Sequence, residues 1–330
     1  MSYASRQSSY LIGSIGATIQ VLAGWWDVYS HLLLGGADPW WNPAHLVLYA
    51  GVALVIFAVW RGLRERRNSR AMSPIPFVNT SGLKLARLGC VMQVTAGAWN
   101  EIIHHVFIQD PRIAPAHALL TLGMLTICLG MAIGLSIEHG MTGRGLLIAP
   151  SWKRWATLAC LILIFSSVWL TSAGALIYVA RVFRGTSVTW IVAVLMSIAA
   201  TLVLVPAKLV LPKFGSVTLI GLVFNAVAFY FLVAYLGDIP YFPWGLIPPL
   251  LFDALSVGLR DVLRPTAASL ISSASMGLLF YVVYFPFSEY LFPWSAGFPV
   301  VILLASSILG ASLGLRVYYG VTSLVLGDLR

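Results

Sequence analysis

Charge is what this sequence has least of. Only 9% of its 330 residues are Asp, Glu, Lys or Arg, against about 25% in a typical soluble domain. So few charges cannot solvate a water-facing surface, and a mean hydropathy of +0.90 points the same way. A water-soluble enzyme and a nucleic-acid binder are both excluded. Cysteine is scarce as well. Cys90, Cys128 and Cys160 lie in apolar stretches without CxxC spacing, which argues against a disulfide framework or thiolate cluster and leaves small buried hydrophobes. Acidic residues number 11 against 20 basic ones. The resulting +9 is better explained by basic cytoplasmic loops than by a polyanionic partner. No histidine follows His139, so any imidazole chemistry belongs to the first part of the chain. The residues before Tyr10 are polar and carry no cleavage-site pattern, so the first apolar segment is expected to be a retained helix.

What is present in abundance is long apolar runs. A span needs about 20 apolar residues to cross roughly 30 Å of hydrocarbon. Residues 10–34, 43–60, 86–108, 115–137, 154–180, 187–206, 215–236, 244–260, 267–287 and 298–318 fit that description. The expectation is an all-α, polytopic integral membrane protein with about ten transmembrane helices. Period-2 alternation is missing, which argues against a barrel. Residues 244–260 are the weakest span, since Pro248 and Pro249 interrupt them. Arg61, Arg64, Arg66, Arg67, Arg70 and Lys84 crowd one loop, while the opposite side holds only Arg112, Arg181 and Arg184. This asymmetry predicts a multi-pass cell-membrane protein with both termini in the cytoplasm.

Five of the six histidines fall in two matching segments. The first contains Trp25, Asp27, His31, Asp38-Pro39 and Pro43-Ala44-His45; the second contains Trp99, Glu101, His104-His105, Asp110-Pro111 and Pro115-Ala116-His117. A shift of 74 pairs Trp25 with Trp99, Asp27 with Glu101 and His31 with His105; a shift of 72 pairs Asp38 with Asp110 and His45 with His117. The pattern reads as a duplicated helix hairpin forming a four-helix module over 1–138, followed by a six-helix membrane scaffold over 139–330. A carboxylate and a histidine at i and i+4 share one helix face. Asp27 with His31, and Glu101 with His105, therefore each make a ledge near the outer end of a helix. His45 and His117, starting the next helices, lie at the same depth. Carboxylate and imidazole together suit copper, zinc, iron or manganese. Asp38 and Asp110 are expected to orient ligands or make turns, and His104 is an extra ligand or a neighbour on the wrong face. The opposing reading is that such histidines merely pack helices, but ionisable groups at membrane depth are costly and usually functional.

The run Asp27-x-x-x-His31, Asp38 and Pro43-Ala44-His45 resembles the copper-site motif in the C subunit of particulate methane and ammonia monooxygenases. The resemblance covers about 25 residues in each copy and does not extend beyond residue 138. It implies copper held by Asp27, His31 and His45, with Glu101, His105 and His117 offered by the second copy.

The resulting functional expectation is a membrane subunit of a redox complex, oxidase- or monooxygenase-like or electron-transferring, with a copper centre at the extracytoplasmic face. Its partners would be other membrane subunits, a separate extracytoplasmic electron-transfer protein, and lipid or quinol. A second reading makes His31, His45, His105 and His117 axial ligands of b-type haem in a quinol or cytochrome electron-transfer subunit. A third is a proton- or metal-coupled transporter, to which Asp253, alone within a span, would contribute either a proton-path carboxylate or a helix contact.

Overall fold

The computed structural model describes residues 4–34, 42–69, 80–106, 115–143, 151–183, 186–236, 246–277 and 300–327. They are helical throughout apart from short turns and ends, with no strand among them. In chain order the helices are α1 (Ala4–Leu34), α2 (Pro43–Ser69), α3 (Ser81–Val106), α4 (Pro115–Gly143) and α5 (Ser151–Phe183). Then come α6 (Thr186–Val210), α7 (Ser216–Leu236), α8 (Ile247–Gly258), α9 (265–277) and α10 (Val300–Gly327).

Each expected span overlaps one of these helices. Among the described residues, four stretches are long and apolar enough to cross a membrane: Pro43–Glu65, Pro115–Gly140, Ser151–Leu176 and Val301–Ser323. The expectation of about ten spans is therefore not supported. The clearest shortfall is α8, whose 12 residues cover about 18 Å at 1.5 Å each, well short of the hydrocarbon. Prolines occupy its first turn and it ends ahead of Arg260 and Asp261.

The chain divides into two compact units, Met1–Thr171 with Val321–Arg330, and Ser172–Gly320. In the first unit α1 packs on α2, α2 on α3, α3 on α4 and α4 on α1, a closed four-helix ring. Small residues set its spacing by letting the helix backbones approach closely. A Cβ at Gly51 would lie 2.8 Å from the Gly16 carbonyl oxygen, and one at Gly123 would lie 2.9 Å from that of Gly89. Leu83 of α3 sits over Gly62 of α2, and Tyr10 of α1 sits over Gly134 of α4. All three cysteines are free and buried, as expected of small apolar residues.

These contacts establish a pseudo-two-fold module and correct the register read from the sequence. Gly16 answers to Gly89, Gln20 to Gln93, Ala23 to Ala96 and Gly24 to Gly97, a shift of 73, while α2 and α4 keep the shift of 72. Trp99 thus pairs with Trp26 rather than Trp25; the two are 40% and 41% exposed. Asp27 then corresponds to Asn100, and His31 to His104. The glycine crossings decide the matter, because sliding one helix by a residue would drive a side chain into a backbone carbonyl.

In the second unit α6 packs on α7 and α7 on α8. Gly310 of α10 lies against Thr201 and Ile198 of α6, and Gly277 of α9 against Ser307. Buried Ser197 and Ser307 share a hydrogen bond across α6 and α10. This unit, too, is held by small and hydroxylated residues.

Candidate metal centre

The start of α2 in the first hairpin is built by an N-cap. The Asn42 side-chain oxygen accepts from the Ala44 N–H at 3.0 Å, and Pro43 follows at the first helical position, the usual start of a helix. The cap fixes His45 in the first turn of α2. There its imidazole Nε2 lies 2.8 Å from Asp27 Oδ1 of α1, with both side chains mostly buried. Two residues 18 positions apart thereby meet, as the hairpin reading requires. The Asp27 carboxylate sits at the N-terminal end of α2, where unsatisfied N–H groups and the helix dipole favour negative charge. One turn further along α2, the Tyr49 ring lies 6.2 Å from the His45 ring, centroid to centroid.

His117 is half-buried in the first turn of α4, the position corresponding to His45, and its carbonyl accepts a 2.9 Å hydrogen bond from Thr121 Oγ1. The Asn100 side-chain oxygen is buried and makes no hydrogen bond. The side chains of His31, Glu101, His104 and His105, and the whole of Asp38 and Asp110, lie outside the described residues. Among the described residues, no three His, Cys, Asp or Glu side chains converge as a metal-binding group.

The donor set that does meet, one carboxylate and one imidazole, fits a borderline or hard divalent ion. Two donors of a tetrahedral ion at ~2.1 Å stand about 3.4 Å apart, so a small separation of Asp27 from His45 would admit one. Without an ion, the same close approach is an electrostatic tie between α1 and α2.

Sequence reasoning missed a second ionic site. Lys208 of α6 and Asp253 of α8 form a buried salt bridge within the second unit. The other Asp253 oxygen accepts from Thr218 N and Oγ1, each at 3.0 Å, and Lys208 Nζ also donates to the Lys213 carbonyl at 3.0 Å. The carboxylate therefore caps the first turn of α7 while neutralising a buried ammonium. Spacing carried no signal of this, since the partners are 45 residues apart and Lys208 reads as a loop charge.

Compared with protein families, characterised proteins and solved structures, the chain matches none.

Proposed function

We propose that this chain is a membrane subunit of a redox complex whose metal centre, copper in the first instance, sits at the extracytoplasmic end of the first hairpin. The observation that carries the reading is the 2.8 Å approach of Asp27 and His45, supported by the resemblance of this segment to the copper site of the monooxygenase C subunits. Asp27 and His45 would hold the ion and His31, one helical turn from Asp27, would complete the set. A bound copper would supply one-electron chemistry and a Lewis-acidic site for O2. The protein's own residues orient the donors: Asn42 fixes the start of α2, and the Gly16–Gly51 crossing fixes its distance from α1. The basic loop over 61–85 places both termini in the cytoplasm in this reading, leaving the site facing outward to a separate electron-transfer protein.

The test is elemental analysis and an optical spectrum on one detergent-purified sample of the full chain. About one copper per chain with no Soret band, falling sharply in Asp27→Asn and His45→Ala, is the expected result. A Soret band would overturn it in favour of haem, and the absence of any metal would leave the pair as a helix tie.

A further inference from the structure

The pseudo-two-fold symmetry of the first unit is broken between its two equivalent clefts, and the break opens a cavity. On one side of the ring, between α1 and α4, a Cβ on Gly24 would meet Met124 Cε at 3.3 Å. The symmetry-related pair on the other side, between α3 and α2, is Gly97 and Val52. Valine is shorter than methionine, and a Cβ on Gly97 would meet nothing within 4 Å. A cavity of about 380 Å³ occupies the space, lined by Leu48, Tyr49 and Val52 of α2, Gln93 and Gly97 of α3, and Leu120 of α4. The same repeat thus plugs one cleft with a methionine and leaves its twin open.

Besides the Tyr49 phenol, the lining carries one polar side chain that is expensive to place there. Gln93 is 4% exposed and both its amide oxygen and nitrogen are without hydrogen-bond partners. A buried, unsatisfied donor or acceptor costs about 1–3 kcal/mol, and hydrocarbon offers no water to relieve it. The amide both donates and accepts, and a turn about its side-chain torsions presents it to a guest. Among the described residues no charged side chain lines the cavity, which favours a neutral guest. Its size falls at the small end of ligand pockets, which run from roughly 300 to 1,000 Å³, and suits one substituted ring. Tyr49 and Val94 on the cavity wall are 44% and 57% exposed on the helix surface, so entry is from the surrounding bilayer.

We propose that the cleft between α2 and α3 binds a neutral, lipid-soluble ring compound bearing carbonyl or hydroxyl groups, the quinone/quinol class, with Gln93 as its hydrogen-bonding partner. The site does not depend on a metal at Asp27 and His45.

The experiment is equilibrium binding of radiolabelled tetramethyl-benzoquinone to the full chain in detergent, measured above the micelle background. Tetramethylbenzene serves as the carbonyl-free comparison. Val52→Met gives the open cleft the plug that its twin already carries, and Gly97→Ala adds a methyl where a Cβ meets nothing, so it leaves the fold intact. Wild type is expected to bind the quinone saturably, with about tenfold weaker binding in Val52→Met and a smaller loss in Gly97→Ala. Gln93→Met should weaken quinone binding by about 2- to 10-fold and leave the hydrocarbon unaffected. Equal binding of quinone by wild type, Val52→Met and Gly97→Ala would overturn the assignment. So would absence of saturable binding to wild type, or equal affinity for the two rings unchanged by Gln93→Met.

Discussion

The buried pair in the second unit makes the sharpest demand on stability. Asp253 is fully buried and Lys208 nearly so, and every Asp253 oxygen is engaged. Removing one member of such a pair strands a charge at a cost of about 3–5 kcal/mol, whereas replacing both by apolar residues is often neutral or favourable. Asp253→Leu also removes the acceptor for Thr218 N and Oγ1, a cap interaction of about 1 kcal/mol. It should therefore be the worst single change, at about 4–6 kcal/mol. Lys208→Met should cost less, near 3 kcal/mol, because the carboxylate keeps both Thr218 donors. The double variant Lys208→Met/Asp253→Leu should recover to within about 2 kcal/mol of wild type, the residue being the lost cap. The assay is reversible unfolding of the full chain in mixed micelles with increasing denaturing detergent, giving a coupling energy from the four proteins. Losses that simply add in the double variant would refute the argument, since the charges would then not be compensating each other.

Four further changes test the first unit. Gly51→Val and Gly123→Val should each destabilise by about 1–3 kcal/mol or more, because the new Cβ meets a backbone carbonyl that cannot move aside; thermal melts in detergent would show it, and unchanged melting would disprove the close crossings. Gln20→Met should be neutral or stabilising by about 1–2 kcal/mol, since Gln20 is buried with an unpartnered amide; a clear loss in the same melts would reveal a partner. Asn100→Asp places a carboxylate at the position corresponding to Asp27 and, if the first hairpin holds a metal through Asp27 and His45, should raise the metal content toward two per chain. Elemental analysis that stays at the wild-type value would show that the second hairpin does not reproduce the site.

How much of this was legible beforehand depended on whether the signal was local. Pro43 and Pro115 marked the starts of α2 and α4 directly, and the Asp27–His45 meeting followed from a hairpin whose turn length was plain. The repeat was legible but its register was not. The Trp25-Trp26 doublet lets Trp99 pair with either, and matching Asp27 to Glu101 by charge tips the choice toward a shift of 74. Only the contacts of Gly16 with Gly51 and Gly89 with Gly123 decide for 73. The run 244–260 looked like a span because hydropathy counts residues and ignores where prolines start a helix and Arg260 and Asp261 follow its end. The partner of Asp253 was invisible, since pairing between α6 and α8 is a property of the packed unit.

The corrected register changes what the duplication means. Residues that set the scaffold are kept in both copies: the crossing glycines, Gln20 and Gln93, Ala23 and Ala96, Leu48 and Leu120. Three of the differences bear on the charged pair and the cleft. Asp27 becomes Asn100, so one hairpin carries the carboxylate and the other a neutral amide. Tyr49 becomes Thr121 and Val52 becomes Met124, so one cleft has an aromatic wall and free space where the other is filled. The charged pair and the open cleft also share α2, with His45 and Tyr49 one turn apart and their rings 6.2 Å from each other. A ligand in the cleft would therefore lie beside the Asp27–His45 pair, and a change at either place would be felt at the other through Tyr49.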